Sequence, residues 1–426
     1  MKTATLHQHF LASSGICTDT RKITKNCLFF ALKGGNFNGN TFAQTALNKG
    51  AYKVIIDEEE FQTKGTILVT NVLKTLQELA SYHRDYLSIP IIALTGSNGK
   101  TTTKELINSV LSQKINTVAT VGNLNNHIGV PLTILSMNSE TELGIVEMGA
   151  NHLKEIELLC SIAKPDYGYI TNFGKAHLEG FGSLEGVVKG KTELYAYLKE
   201  SHKTVFVNAN DAKQIQHSEG INKVIFGDKN TDKDCLIELV DASKQVIVSY
   251  KNKKIKSNLI GLYNFNNIAA AICMGNYFKV SEASIKNAIE AYIPSNNRSQ
   301  LIKKGSNQII LDAYNANPSS MMAALENFNQ AEGESKILFL GDMFELGSEA
   351  ETEHQNIVNF IETANFTKAY LIGENFFKTK VILDRIEKFK TFEALQKELK
   401  NTIFTHSQIL IKASRGMALE RILDII

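Results

Sequence analysis

Tryptophan is absent from the 426 residues, and only five prolines and five cysteines occur. The first two scarcities carry no functional information. The third does. Cys17, Cys27, Cys160, Cys235 and Cys273 are scattered, odd in number and never paired as CxxC. Neither a zinc site nor a disulfide framework is therefore indicated. A charge excess is missing too: 46 Lys and Arg face 44 Asp and Glu, a net charge of +2, with no long basic run. No nucleic-acid partner is expected. No stretch approaches the ~18 apolar residues of a membrane span. The start, MKTATLHQHFLASSGIC, has no apolar signal core, so no membrane association and a cytoplasmic location are expected. Nucleophile motifs are also missing: there is no GxSxG and no HExxH.

What is present is an ordinary globular balance, 43% hydrophobic and 21% charged, long enough for about three domains at ~150 residues each. Residues 1–87 form a first block with strand-like runs in NCLFFALKG and GAYKVIIDEEE, closed by the amphipathic helix VLKTLQELASYHRDYL. Residues 88–297 form a second. Its strands are IIALTG, LGIVEMGA, YGYITNFG and KTVFVNAND, with helices between. A lysine-rich hairpin-like segment, VIVSYKNKKIKSNLIG, and the helix NFNNIAAAICMGNYF follow. Residues 298–426 form a third, smaller Rossmann-like unit, with strands QIILDAY, KILFLGD, KAYLIGE and QILIKAS and a last helix GMALERILDII. Strand–helix alternation throughout predicts an α/β fold of three domains with parallel sheets, the central one built around a phosphate loop.

That loop is LTGSNGKTTTKE, Leu94 to Glu105. A strand, a glycine turn and Lys-Thr-Thr opening a helix make an anion site from backbone N–H groups and the helix N-terminus. Gly96 and Gly99 let the backbone curl toward phosphate oxygens, Lys100 can bridge β- and γ-phosphates, and Thr101 can ligate Mg²⁺. The spacing is shorter than in the commonest phosphate loop, with two residues rather than four between the glycines. Glu147 and His177 lie at the ends of predicted parallel strands, where open α/β sheets bind ligands. Each alone reads as a cap or a satisfied polar group; with the loop they become candidate Mg²⁺ ligands. Without a nucleophile, the pattern suits phosphoryl transfer by positioning and charge neutralisation. These residues leave kinase, ATPase and ligase all open.

The stretch TGSNGKTT resembles the signature of the Mur ligase family, ATP-dependent amide ligases of peptidoglycan precursor synthesis, whose relatives include folylpolyglutamate synthase. Further segments are similar in order along nearly the whole chain. The resemblance implies that Gly96, Ser97, Asn98, Gly99, Lys100, Thr101 and Thr102 hold ATP phosphates. It implies a metal-binding Glu147 in VEMGANHLKEI and a metal-binding His177 in TNFGKAHLEGFGS. In KGKTELY it implies a carbamate-bearing Lys191, which would join Thr101 as a further metal ligand; spacing alone reads Lys189 and Lys191 as two solvated helix lysines. Lys100, His177 and Lys191 are the implied catalytic set. Asn267 in GLYNFNNIAAA is the implied adenine contact. Arg298 and Asp312 are the implied ATP contacts of a hinge region near Ser295 to Arg298.

Three stretches, TDTR…LFFALKGGNFNGNTF, LDAYNANPSSMMAAL and LGDMFELG, resemble the branch that joins D-alanyl-D-alanine to UDP-N-acetylmuramoyl-tripeptide. The first block would then bind the nucleotide-sugar peptide, the second ATP and the third the D-alanyl-D-alanine side. Asp19, Arg21, Asn123, Asn317, Ser319, Lys412 and Arg415 are the implied substrate contacts. ATP, Mg²⁺ and a carbamoylated Lys191 are the implied cofactors, and a monomer is expected. The chain departs from the family pattern at Thr20 for Ser, Asn38 and Asn40 for Asp and His, Tyr263 for His, and Ala413 for Gly. A diaminopimelate- or lysine-adding ligase, a folylpolyglutamate synthase and a non-catalytic nucleotide-binding protein are the alternatives.

Overall fold

The computed structural model describes residues 2–228, 235–295, 297–331, 333 and 335–426. Asn296, within the expected hinge, lies outside the described residues. Three sheets carry the α/β architecture. The first has four parallel strands, ordered Ile16–Cys17, Leu28–Phe30, Lys53–Ile56, Thr66–Leu68. The helix Val72–Leu87, capped by the Asn71 side chain on the Lys74 N–H, leads out of it. Val72, Leu76, Leu79 and Ala80 form its buried stripe, at the helical spacing that predicted it.

The central sheet is six-stranded and wholly parallel: Asn222–Phe226, Thr204–Asn208, Tyr167–Ile170, Ile91–Thr95, Leu143–Glu147, Thr117–Ala119. Ile91–Thr95 is buried along its full length, as expected of a strand covered on both faces. Beside it the helix Lys100–Leu111 buries Leu106, Ile107, Val110 and Leu111. It packs on the helix Asn264–Tyr277, whose small-residue side permits close approach. A Cβ on Gly275 would lie 2.5 Å from Val110 Cγ1. The lysine-rich segment is an antiparallel hairpin, Ile247–Tyr250 with Lys253–Lys256, with Lys253, Lys254 and Lys256 exposed and Ile255 buried.

The third sheet runs Gln300–Lys304, Asn307–Asp312, Gln408–Lys412, Lys336–Gly341, Lys368–Ile372, Ile386–Phe389. Its first pair is antiparallel and the rest parallel. The predicted last helix does not form. Two 3₁₀ turns, Arg415–Met417 and Leu419–Asp424, stand there, separated by Ala418 in the left-handed region at φ +46°. The apolar spacing explains this. Leu419 and Ile422, three apart, are buried on the sheet, and a 3₁₀ turn places residues i and i+3 directly above one another.

The first block is joined to the central one by buried imidazoles. His7 Nε2 and His83 Nδ1 are 3.0 Å apart, and His83 Nε2 donates to the Met137 carbonyl at 2.9 Å. Burial lowers both from the ordinary value of 6.5, and for His7 the neighbouring His83 adds to it. The unfolded chain takes up these protons near pH 6.5 while the folded one resists them, so stability is lost as pH falls below that value. The melting temperature should drop between pH 7 and 5, and His7→Leu should flatten part of the drop. A pH-independent melting temperature would contradict the neutral pair.

Candidate active site

The phosphate loop sits at the carboxyl end of the central sheet, and its shape is imposed by neighbours. Gly96 has φ +142°, and a Cβ there would lie 2.0 Å from Thr171 Oγ1; Gly99 has φ +77°, and a Cβ would lie 2.8 Å from Asn267 Oδ1. Both positions therefore require glycine. Three bonds from the next strand end hold the loop tip. Ser97 N–H donates to the Asn172 carbonyl at 3.1 Å, Asn98 N–H to Asn172 Oδ1 at 3.0 Å, and Thr171 Oγ1 donates to the Asn98 carbonyl at 2.6 Å. Gly96→Ala should cost about 1–3 kcal/mol in backbone strain, besides the clash with Thr171. Calorimetry should show a lower melting temperature and weaker nucleotide binding; an unchanged pair of values would contradict this reading of the loop.

Lys100 folds back on the loop, its Nζ donating to the carbonyls of Gly96 at 2.7 Å and Ser97 at 3.3 Å. Burial lowers its pKa, opposed by the Glu147 charge. Thr101 Oγ1 donates to Glu147 Oε1 at 3.2 Å, and Asn125 Nδ2 donates to the same oxygen at 2.9 Å. Glu147 Oε2 is buried with no hydrogen-bond partner. A buried carboxyl oxygen left without a partner is costly, and a hard cation beside it would offset the cost. The carboxylate of Glu147 and the hydroxyl of Thr101 thus fit Mg²⁺. Among the described residues no group of three or more His, Cys, Asp and Glu is placed to hold a metal, so phosphate oxygens would complete any coordination shell.

A cleft of about 600 Å³ runs from this loop to the third sheet. It is lined by Ser97, Asn98, Gly99, Lys100, Thr101, Thr102, Glu147, His177, Asn267, Arg298, Asp312, Asn317, Ser319 and Lys412 among the expected residues. His177 has φ +53° and bonds Glu345 through Nδ1, and this bond holds the Glu345 carboxyl below its usual range. The Asn267 amide is already engaged: it accepts from Thr103 Oγ1 at 2.9 Å and donates to Asn264 at 2.8 Å, buttressing Gly99 from below. Arg298 lies 3.7 Å over the Tyr314 ring, with its Nε buried and unbonded. Asp312 and Lys412 stand opposite each other in adjacent parallel strands and form an ion pair, and Asp312 Oδ1 also accepts from the Ser299 N–H at 3.0 Å.

Lys191 is fully buried on the helix Leu184–Glu200, so the two solvated lysines expected from spacing are one, Lys189; Lys191 turns inward. Its Nζ donates to the Ala150 carbonyl at 3.0 Å and lies 5.1 Å from the centre of the Phe181 ring. Burial, and then the charge of Lys100, push its pKa well down. Ala150 lines the cleft, but Lys191 itself lies behind that wall.

Gly96 stands behind the loop and does not line the cleft, and four expected substrate contacts lie outside it. Asp19 and Arg21 form a surface ion pair with each other at 2.8 Å. Asn123 is exposed on its loop, and Asn125 faces the cleft instead. Arg415 is exposed and pairs with Glu420 at 3.1 Å. Residues that sequence reasoning passed over are Asn125, Asn172, Tyr314 and Glu345, although Asn125 stands in NLNNHIGVP, Asn172 in TNFGKAHLEGFGS, Tyr314 in LDAYNANPSSMMAAL and Glu345 in LGDMFELG, all segments already singled out.

Family models match the chain in three consecutive pieces: the Mur ligase family catalytic domain over residues 13–92, the Mur ligase middle domain over 94–275, and the Mur ligase glutamate ligase domain over 297–415. The chain belongs to the Mur ligase family. Among relatives in this family, the UDP-N-acetylmuramoyl-tripeptide–D-alanyl-D-alanine ligase of Bacillus subtilis is 35% identical over 423 residues, covering 96% of this chain and 92% of its own. The enzyme of the same name from Escherichia coli is 32% identical, covering 96% and 92%. Two solved Mur ligases share the whole architecture. MurF from Acinetobacter baumannii aligns with TM-score 0.86 at 28% identity over 99% of this chain and 98% of that one. MurF from Thermotoga maritima in complex with ADP aligns with TM-score 0.85 at 26% identity over 98% and 97%.

Proposed function

We propose that this chain is an ATP-dependent amide ligase that joins D-alanyl-D-alanine to UDP-N-acetylmuramoyl-tripeptide, a step of peptidoglycan precursor synthesis. The observation that carries the reading is the buried, half-satisfied Glu147 carboxylate beside Thr101, at the foot of a glycine loop bearing Lys100. The relatives that bear this activity in their names match nearly end to end, which supports the acceptor and the dipeptide.

The chemistry has two steps. The terminal carboxylate of the tripeptide attacks the γ-phosphorus, the bond to the bridging oxygen of ADP breaks, and an acyl phosphate forms. The dipeptide amine then attacks the acyl carbon, phosphate leaves, and the amine gives up a proton. The first step brings two anions together. Lys100 is close enough to the loop to turn from the Gly96 and Ser97 carbonyls onto a phosphate, and its charge offsets that repulsion. Glu147 and Thr101 would hold Mg²⁺, which supplies charge neutralisation at the phosphates. Arg298, stacked on Tyr314 and free at Nε, and Asp312 reach the cleft from the third domain as nucleotide contacts.

Lys191 is the candidate carbamate. A buried amine whose pKa is pushed down gives up its proton more readily, and the neutral amine can add CO₂ with loss of a proton to become an anionic oxygen ligand. The domain limits proposed are 1–87 for the nucleotide-sugar peptide, 88–297 for ATP and 298–426 for the dipeptide side; the three separate sheets support them. No helix among the described residues is long and apolar enough to cross a membrane. Incubation with ATP, Mg²⁺, the tripeptide substrate and D-alanyl-D-alanine should give a product heavier by the dipeptide less water. Mass spectrometry showing no such product would overturn the assignment.

A further inference from the structure

The helix Pro318–Gln330 begins in the cleft with a capping box. Asn317 Oδ1 accepts from the Ser320 N–H at 2.9 Å, which fixes the amide orientation and leaves Nδ2 pointing out of the third domain. It donates to Asn98 Oδ1, at the tip of the phosphate loop, at 2.8 Å. Two residues on, Ser319 Oγ accepts from the Lys175 N–H at 2.8 Å, on the loop that follows Asn172. The backbone of Asn98 is satisfied within the central domain by Thr171 and Asn172, so its side chain is what reaches across.

We propose that Asn317 is a positioning residue. Through its bond to Asn98 it fixes the tip of the phosphate loop when the third domain is seated, and so sets the orientation of Lys100. The argument is geometric. Lys100 Nζ is bonded to the carbonyls of Gly96 and Ser97, the two residues that precede Asn98, so the loop tip and the lysine move together. The helix cap predetermines the direction of the Asn317 donor, so the bond forms only when the third domain is seated. Phosphoryl transfer is thereby tied to the presence of the domain that brings the dipeptide. Asn317 then acts on the loop, and the dipeptide does not need to touch it. The inference rests on the ligase reading above.

Asn317→Ser keeps a hydroxyl to cap the helix and removes the bond to Asn98. Asn98→Ala removes it from the other side. Each should leave the melting temperature unchanged and lower kcat about tenfold, the size of one lost hydrogen bond. The KM for D-alanyl-D-alanine should stay within about twofold, because ground-state binding of the dipeptide is untouched. The double variant should be no slower than the slower single one, because both remove the same bond. Effects that multiply, or a raised KM for the dipeptide with kcat unchanged, would overturn the inference; the second result would make Asn317 a dipeptide contact. If the unaltered chain shows no response to D-alanyl-D-alanine, the ligase reading fails. The inference is then decided by small-angle scattering with Mg²⁺ and a non-hydrolysable ATP analogue. A larger radius of gyration in both variants than in the unaltered chain supports it, and equal radii overturn it.

Discussion

Lys100→Ala should abolish ligation while leaving the fold intact. The side chain sits beneath the loop, donating to two carbonyls of its own turn. Removing it leaves the bonds of the loop to Thr171 and Asn172 in place. The loss falls on the reaction, where one cationic donor in a dry site is worth about 3–4 kcal/mol, or 10²–10³ in rate. Burial already depresses the Lys100 pKa, so the ammonium is held at a cost that nucleotide phosphates would relieve. Circular dichroism should match the unaltered chain while dipeptide-dependent phosphate release disappears. A variant keeping more than about a tenth of the rate would show that Lys100 is not the γ-phosphate group.

The second large effect is at Lys191. If its amine carries CO₂, Lys191→Ala removes an anionic metal ligand, and the rate should fall by at least about 100-fold. The space left under Phe181 and behind Ala150 is lined on one side by an aromatic ring and on the other by a carbonyl. Both groups are electron-rich, so a small carboxylate would be held there only by the metal ion that the carbamate would have served. Added acetate should restore part of the rate to Lys191→Ala, and depletion of bicarbonate should slow the unaltered enzyme. Lys191 is fully buried, so Lys191→Ala also leaves a cavity, and the melting temperature read beside the rate separates loss of fold from loss of the ligand. A Lys191→Ala enzyme as fast as the unaltered one would contradict the carbamate. Failure of acetate alone would point to collapse of the vacated space.

Much of this was legible from local pattern. Strands such as Ile91–Thr95 are unbroken apolar runs, and the glycine spacing of the phosphate loop follows from a backbone that must pass under Thr171 and over Asn267. Glu147 was legible because it closes an apolar strand. The contacts that assemble the cleft were not. Asn98 and Asn317 are 219 residues apart, and His177 and Glu345 are 168 apart, so no periodicity links them. Lys191 looked solvated because its neighbour Lys189 is; only the docking of Phe181 on the helix, at Gly186 and Gly190, shows which face turns inward. A Cβ on Gly190 would lie 2.4 Å from the Phe181 ring, and one on Gly186 would lie 2.0 Å from the Phe181 carbonyl. The final segment misled because its apolar spacing of three serves a 3₁₀ turn as well as a helix. Asn38 and Asn40, two of the departures in the first domain, are tied into a network with Lys33, Asp57 and Glu58, where Asn40 Nδ2 donates to Asp57 at 2.9 Å and Asn38 Nδ2 to Glu58 at 2.8 Å. That network keeps the local turn closed without the Asp and His of the family pattern.

The most direct test of the central claim is phosphate release from ATP in the presence of Mg²⁺ and UDP-N-acetylmuramoyl-tripeptide, measured with and without D-alanyl-D-alanine. The ligase reading predicts that sustained release requires the dipeptide, because the acyl phosphate waits for its amine. Release at the same rate without the dipeptide, or release driven by glutamate or diaminopimelate in its place, would contradict it.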